Sequence, residues 1–152
     1  REIMLYPFYV KLKVIEMKIW PNCLCFCSAR MGQGDVYIGD GEGKITRVHM
    51  DSDTRHSKDF TPTSWGSTTS SHELGIIALN AEPHEGLLFS ISNDTSVKLW
   101  EQATGMAKKS IRNDNKCRFN CMCIDIVHQE VFLADDHGCL HIWSWVSERL
   151  IF

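Results

Sequence analysis

The chain has 152 residues, of which 43% are hydrophobic and 23% charged, as in an ordinary soluble globular domain. Its formal net charge of −3 argues against charge-driven binding to nucleic acid or to an anionic membrane. No apolar run approaches the roughly 18 residues that a membrane-spanning helix needs, and the opening segment, which Pro7 interrupts, makes a poor signal peptide.

Short apolar segments punctuated by Gly, Asn, Asp and Pro predict strands joined by tight turns, and hence an all-β fold. The first such segments are "NCLCF" (Asn22–Phe26) and a hairpin within "VYIGDGEGKITRVH" (Val36–His49). A Ser/Thr-rich insertion, Ser52–Ser71, follows them and is too long for an ordinary connection. It is poor in strand-forming segments, and its aromatic residue, Trp65, has no evident place in a strand. We expect either a loop whose Trp65 docks on its own sheet or a contact with a partner.

The next segments are the most regular in the chain. Gly75–Ala81, Leu87–Ile91 and Ser96–Trp100 are separated by the turns "EPHEG" and "SNDT", and a further run ends at Ile111. This spacing predicts four antiparallel strands that form one self-contained sheet.

The same unit recurs along the chain. "LFSISNDTSVKLWE" (Leu88–Glu101) aligns without gaps with Val36–His49 and with "VFLADDHGCLHIWS" (Val131–Ser144). Upstream of the last hairpin, "NCMCI" (Asn120–Ile124) repeats "NCLCF". Self-similarity on this scale indicates a repeat architecture.

The segment from Ser71-His72 to Trp100-Glu101 resembles one repeat of the WD-repeat β-propeller family. Ser71-His72 stands where the family has Gly-His, and Trp100-Glu101 stands where it has Trp-Asp. "LFSISNDTSVKLWE" is similar to the family's Leu-Ala-Ser-Gly-Ser-x-Asp-Gly-Thr-Val-Lys-Leu-Trp-Asp. The third repeat keeps Trp143 but has His137 in the place of the turn aspartate, and the first has Val48 in place of the tryptophan.

The resemblance implies about three blades, each of four antiparallel strands, from a larger WD-repeat propeller. The implied units are 1–21 (outer strands of a preceding blade), 22–71 (a divergent blade with the insertion 52–71), 72–115 (the best-matching blade) and 116–152 (a further blade, complete or incomplete). Propellers close with typically four to eight blades. The remaining blades are therefore expected from the parent chain or from another subunit.

His72, Ser90 and Asp94 are the ingredients of a catalytic triad, but the resemblance implies a different role. In the family the corresponding residues, together with Trp100, form a buried hydrogen-bond network within a blade. A buried indole needs an acceptor for its N–H, and no glycine-flanked nucleophile elbow surrounds Ser90. We therefore expect a structural network and no catalytic residue.

The cysteines raise the question of a metal site. Most of the seven alternate within apolar runs, which indicates reduced thiols used as small core residues and a cytoplasmic location. A zinc site would use Cys23, Cys25, Cys27, Cys121 and Cys123, with His128 nearby. Alternate residues of a strand lie about 6.6 Å apart along it, whereas zinc requires its sulfur ligands roughly 4 Å apart. We expect no metal and no cofactor.

Two groups of acidic residues resemble cation or acid–base sites. They are Asp135-Asp136-His137 and Asp40-x-Glu42, and both fall in the turn between the second and third strands of a repeat. Carboxylates favour such turns because they accept hydrogen bonds from their own backbone. The sequence therefore favours a structural role for them as well.

The function implied by the resemblance is a non-catalytic scaffold for protein–protein contacts within a multi-subunit assembly. Contacts are expected from the loops that enter the innermost strands and from the turns between second and third strands. Arg118 and Phe119 are expected to form an exposed pair suited to a binding hot spot. The full set of candidates is Trp20, Asn22, Glu42, Trp65, Glu73, Asn93, Arg118, Phe119, Asp136 and His137.

Two alternatives remain open at this stage. One is a propeller hydrolase with a face-mounted site at Asp135, Asp136 and His137. The other is a peripheral membrane adaptor, for which a few basic residues are the only indication. These are Arg47, Arg55 and Lys58. Direct readout of nucleic-acid bases is not expected.

Overall fold

In the computed structural model, the described residues are 19–28, 34–50, 63–65 and 71–147, and there the chain forms strands, turns and loops. Residues 1–18 and most of the insertion, with Arg55 and Lys58, lie outside the described residues. The strands are β1 (Pro21–Ser28), β2 (Gly34–Asp40), β3 (Ile45–Met50), β4 (Thr63–Trp65), β5 (Ile76–Glu82), β6 (Leu87–Ser92), β7 (Ser96–Glu101), β8 (Ala107–Arg112), β9 (Phe119–Asp125), β10 (Glu130–Asp135) and β11 (Leu140–Ser144). None of the described residues belongs to a helix that is long and apolar enough to cross a membrane.

The strands form three antiparallel sheets, in each of which every strand pairs with its neighbour along the chain. The first sheet has the order β1-β2-β3-β4, the second β5-β6-β7-β8, and the third β9-β10-β11. This arrangement is consistent with three blades of a β-propeller. The described strands do not by themselves form a closed ring.

The second sheet shows why these residues form strands. Every residue of β6 is buried, and a continuous run of apolar and small residues suits a strand that is covered on both faces. By contrast, β8 alternates half-buried and exposed positions and carries two lysines, as expected for the outermost strand of a sheet. Between the strands, Gly86 and Thr95 adopt positive φ, which closes the turns tightly.

Neighbouring sheets pack face to face, with β1 against β5 and β5 against β9. One face of the second sheet carries Leu88 and Trp100, which pack with Tyr37 of the first sheet. The opposite face carries Phe89 and Leu99, which pack against the third sheet. Each sheet therefore has two different faces. At each interface between neighbouring sheets, a face of the kind that carries Leu88 and Trp100 meets a face of the kind that carries Phe89 and Leu99.

The outer faces of the stack are apolar and uncovered by other described residues. On the first sheet, Leu24 and Phe26 of β1 are exposed. On the third sheet, Cys121 and Cys123 of β9 and Leu140 of β11 are exposed. The prediction that the cysteines are core residues is therefore wrong for Cys121 and Cys123, because they lie on the face turned away from the second sheet, opposite Ala134 and Phe132 of β10.

The structure also corrects two expectations for aromatic residues. Phe119, expected at the surface beside Arg118, is 2% exposed, because the first residue of β9 points into the joint with the second sheet. Trp65, expected outside any strand, lies in β4, where it pairs with Ile45. The side chain of Trp65 lies outside the described part of the chain.

Antiparallel pairing gathers the turns at two opposite edges of the sheets. The upper edge consists of the β2–β3, β6–β7 and β10–β11 turns and of the segments that enter β1, β5 and β9. The lower edge consists of the β5–β6, β7–β8 and β9–β10 turns and of the segment that follows β11. These two edges are the surfaces on which the candidate sites lie.

Candidate functional site: the upper edge

At the upper edge of the second sheet, four side chains that the sequence singles out form one hydrogen-bonded chain. The indole Nε1 of Trp100 donates to Oγ of Ser90 over 2.8 Å. Nε2 of His72 lies 2.7 Å from the same hydroxyl oxygen, and Nδ1 of His72 lies 3.0 Å from Oδ2 of Asp94. One proton arrangement satisfies every contact: the Ser90 hydroxyl donates to Nε2, and the Nδ1–H group donates to Asp94.

Asp94 also fixes the β6–β7 turn. Its carboxylate accepts hydrogen bonds from the backbone N–H groups of Ser96 and Glu73, each over 2.9 Å, and from the Ser96 hydroxyl. Burial by itself would raise the pKa of Asp94, but the hydrogen bonds from His72, Ser96 and Glu73 outweigh it and hold the pKa well below its ordinary value. The carboxylate therefore stays ionised and ties the segment before β5 to the turn after β6.

The order Ser90, His72, Asp94 is that of a hydrolytic triad, but the surroundings do not suit hydrolysis. Ser90 has no exposed surface, and its oxygen already accepts the N–H of Trp100, which is itself 2% exposed. A nucleophile must reach its substrate and must have a free lone pair to attack it. The geometry therefore fits a network that holds the sheet together.

The corresponding turns of the other two sheets are held by a different aspartate. Oδ1 of Asp40 accepts the backbone N–H groups of Glu42 and Lys44, each over 2.9 Å. Oδ1 of Asp135 accepts those of His137 and Cys139, again each over 2.9 Å. Each of these two aspartates is the last residue of the second strand of its sheet, and in the repeat alignment each stands two positions before the place of Asp94, which lies in the turn after β6. These are the backbone hydrogen bonds that a structural role for the acidic turns requires.

In the third sheet the other oxygen of Asp135 is the centre of a buried cluster. Oδ2 accepts hydrogen bonds from Asn113 over 3.1 Å and from the thiol of Cys117 over 3.1 Å, and it lies 2.8 Å from Nε2 of His141. The His141 ring, followed by the Cys139 N–H, holds the pKa of Asp135 well below its usual range. Burial, followed by the neighbouring carboxylate, raises the pKa of the Cys117 thiol, so this cysteine is not an activated nucleophile.

The three residues of the candidate hydrolase site in the third sheet therefore differ in their burial and in their contacts. Asp135 is buried within the cluster, whereas Asp136 binds Arg118 at the surface, with 3.1 Å between Nε and Oδ2. His137 is exposed. No group of three or more His, Cys, Asp or Glu side chains within the described ranges could hold a metal ion.

Several exposed charges of the described upper edge are paired with one another. Lys44 lies 2.9 Å from Glu42, and Arg112 lies 2.7 Å from Glu73. Arg118, besides binding Asp136, donates to Oδ1 of Asn93 over 3.4 Å and so links the second and third sheets. The structure thus brings together Glu73, Asn93, Arg118 and Asp136 of the sequence candidates, and it adds Arg112, which the sequence did not single out.

Two large apolar side chains stand out on this edge. Trp20, which precedes β1, is 87% exposed, and Leu74, which precedes β5, is 53% exposed. The segments that carry them are adjacent, since Asn22 donates from Nδ2 to the backbone oxygen of Ile76 over 3.2 Å. Sequence reasoning selected Trp20 and Asn22 but missed Leu74, whose only signal is an apolar side chain in the polar segment "SSHELG".

The basic residues behind the membrane alternative do not form a described surface. Arg47 is half-buried and lies 2.8 Å from Asp35, between NH2 and Oδ2. This hydrogen bond raises the pKa of Arg47. The positive charge of Arg47 is therefore paired with Asp35 within the first sheet. Arg55 and Lys58 lie outside the residues that the structure describes.

The charge of Asp94 predicts how stability depends on pH. The folded-state pKa is lowered from 3.8, so the contribution of this carboxylate is present above that value and is lost as the pH falls through the folded-state pKa. We expect Asp94→Asn to lower the free energy of unfolding at pH 7 and to lower it less at pH 2.5, which lies below the ordinary pKa of an aspartate but above the lowered folded-state pKa of Asp94. Urea denaturation at both pH values measures this, with Asp114→Asn in an exposed loop as the control. An equal loss at both pH values would show that the charge of Asp94 does not matter.

No protein-family model matches the chain. The chain is similar to proteins named WD repeat and FYVE domain-containing. It is 24% identical to protein 2 of Caenorhabditis elegans over 115 residues, which cover 76% of this chain and 26% of that protein. It is also 24% identical to protein 1 of Mus musculus over 131 residues, which cover 86% of this chain and 29% of that protein. The chain thus spans less than a third of the length of these relatives, and the similarity supports the WD-repeat resemblance at a coarse level.

Solved structures share the arrangement of the sheets. The computationally designed Ika4 protein matches with a TM-score of 0.68 and 14% identity, over 95% of this chain and 78% of that chain. The computationally designed Ika8 protein matches with a TM-score of 0.64 and 16% identity, over 87% of this chain and 35% of that chain. At these identities the likeness concerns the fold alone.

Proposed function

We propose that the chain is part of a non-catalytic WD-repeat scaffold that binds other proteins within a multi-subunit assembly of the cytoplasm. The observation that carries the proposal is the upper edge, where exposed Trp20 and Leu74 stand among charges that are already paired. The similarity to WD-repeat relatives supports a protein-binding role in general terms.

The proposed contact surface is centred on Trp20 and Leu74. Large aromatic side chains that are exposed in the free protein and become buried in a complex often supply most of the binding energy. The surface is also fixed in advance, because Asn22 binds the backbone of Ile76 and Asp94 binds the N–H of Glu73. A surface that is ordered before binding loses less entropy when the complex forms.

The paired charges indicate the kind of partner. Glu42, Glu73 and Asp136 each have a basic partner within the upper edge. Such pairs contribute little to affinity, but they make a polar rim around the apolar side chains. We expect a protein segment that inserts an apolar anchor between Trp20 and Leu74, and not a strongly charged ligand.

The proposal is tested with the double variant Trp20→Ala/Leu74→Ala. Proteins that co-purify with the full-length parent protein are quantified by mass spectrometry for the wild type, the double variant and Met106→Ala. Met106 is the matched control, because it is an apolar side chain, 65% exposed, on the lower edge. We expect at least one partner to be recovered equally with wild type and control and to fall at least tenfold with the double variant.

Folding of the variants is checked by urea denaturation, and unchanged midpoints are expected because the replaced side chains are exposed. An identical set of partners at identical levels for all three proteins would contradict the proposed contact surface.

A further inference from the structure

At the lower edge, the second and third sheets use the same turn. Glu82, which ends β5, accepts hydrogen bonds from the backbone N–H groups of the second and third residues that follow it. Asp125, which ends β9, does the same with Val127 and His128, over 2.9 and 3.2 Å. Each turn ends in a residue with positive φ, +67° at Gly86 and +58° at Gln129. The two turns therefore share their backbone hydrogen bonds and their positive φ, and they differ in their side chains.

The side chains at the tips of the two turns have opposite character. The second sheet has Pro83 and His84 there, whereas the third has Ile126 and Val127, which are 51% and 84% exposed. Val146, which follows β11 at the same end of the third sheet, is 60% exposed. The turn of the second sheet shows that the backbone does not require β-branched aliphatic residues here. A cluster of exposed β-branched side chains on a turn indicates an interaction surface.

This apolar turn is held in place by contacts to the second sheet. Gln129 donates from Nε2 to Oε1 of Glu85 over 2.6 Å, and its backbone oxygen accepts the N–H of Trp145 over 3.2 Å. The indole of Trp145 donates to Oε2 of Glu85 over 3.1 Å and packs on Phe89, with 5.1 Å between ring centroids. Ile126 and Val127 are thus presented on a rigid base, which reduces the entropy lost when a partner binds.

The charges around the apolar turn are mostly negative. Glu85, Asp125 and Glu130 lie within or beside the turn, and Glu101 ends β7 at the same edge. Among the basic side chains of the described lower edge, Lys108 is 3.6 Å from Glu101 and His128 is 2.8 Å from Asp125, and His84 lies in the turn of the second sheet beside Glu85. An apolar centre with an acidic rim is complementary to a segment that has apolar and basic residues on one face.

We infer that the turn of Ile126 and Val127, with Val146, is a second docking site, which takes a basic amphipathic segment of a partner protein. Aliphatic side chains of the partner cover the three apolar residues, and its Lys or Arg side chains reach the surrounding carboxylates. The acidic rim disfavours an anionic membrane. A second copy of the chain would bring the same carboxylates together, which like-charge repulsion disfavours.

A labelled synthetic peptide tests the inference. The peptide carries Leu and Lys in an amphipathic helical pattern, the matched peptide has Glu in place of every Lys, and binding is followed by fluorescence anisotropy. We expect the Lys peptide to bind and the Glu peptide not to bind. Ile126→Pro/Val127→His, which borrows the turn of the second sheet, should weaken binding at least tenfold. Val127→Ser, which leaves the charges unchanged, should weaken it severalfold even if the double variant folds poorly.

Two control variants and two further measurements distinguish this site from its competitors. Met106→Ser should leave binding unchanged, as should Trp20→Ala/Leu74→Ala, so that failure here is distinguishable from failure of the upper-edge proposal. Equal binding of the Lys peptide to wild type and Val127→Ser would overturn the inference. So would self-association in sedimentation, or binding to phosphatidylserine vesicles, that depends on Val127.

Discussion

Replacing His72 by alanine is expected to lower the free energy of unfolding by about 2–4 kcal/mol. His72 is 3% exposed and joins Ser90 to Asp94 inside the second sheet. Its removal leaves the Ser90 hydroxyl without the imidazole nitrogen that it contacts. It also leaves the Asp94 carboxylate without a hydrogen bond that offsets the cost of burying its charge. Each polar group stranded in this way costs about 1–3 kcal/mol, and more when it is charged.

Urea denaturation followed by tryptophan fluorescence measures the loss, and His84→Ala is the matched control. His84 is an exposed histidine in a turn of the same sheet, so its replacement should change stability by less than about 0.5 kcal/mol. If His72→Ala unfolded at the wild-type midpoint while an activity was lost, the structural interpretation of this network would be wrong.

The second large effect is expected at Gly43, in the β2–β3 turn of the first sheet. Gly43 adopts φ +83°, and a Cβ there would lie 2.4 Å from the backbone oxygen of His72 and 2.7 Å from that of Leu74. These are backbone atoms, so the contact cannot be relieved by a side-chain rotation. We expect Gly43→Ala to destabilise the chain by about 3 kcal/mol or more, through left-handed strain of about 1–2 kcal/mol plus separation of the first and second sheets.

Gly138 provides the control for this prediction. It adopts almost the same φ, +80°, at the corresponding turn of the third sheet, but a Cβ there would meet nothing within 4 Å. Gly138→Ala should therefore show the backbone strain alone, about 1–2 kcal/mol. Similar losses for the two variants in urea denaturation would show that the contact with the segment before β5 does not stabilise the joint.

The sequence predicts the strands well where its pattern is regular. The expected strands Leu87–Ile91 and Ser96–Trp100 differ by one residue from β6 and β7, because turn residues with special backbone preferences bound them on both sides. The resemblance to a WD repeat also pointed to the four residues that form the network of the second sheet. Both results depend on local sequence signals that lie within a single repeat.

What could not be predicted depends on contacts between repeats. Phe119 follows an arginine in a loop-like segment, and only the packing of β9 on the second sheet decides that its ring is buried. The cluster around Asp135 draws Asn113 and Cys117 from the connection before β9 and His141 from β11. No spacing rule links these residues, because the aspartate is two positions from the place at which the repeat usually has it.

Because the two faces of each sheet differ, the two ends of the stack are not equivalent. At both joints, a face of the kind that carries Leu88 and Trp100 meets one of the kind that carries Phe89 and Leu99. The uncovered face of the first sheet, with Leu24 and Phe26, and that of the third sheet, with Leu140, are therefore of opposite kinds. A further sheet can therefore extend the stack at either end only in the orientation that joins unlike faces, so a sheet grafted in the reverse orientation should fail to pack there even with its apolar content unchanged.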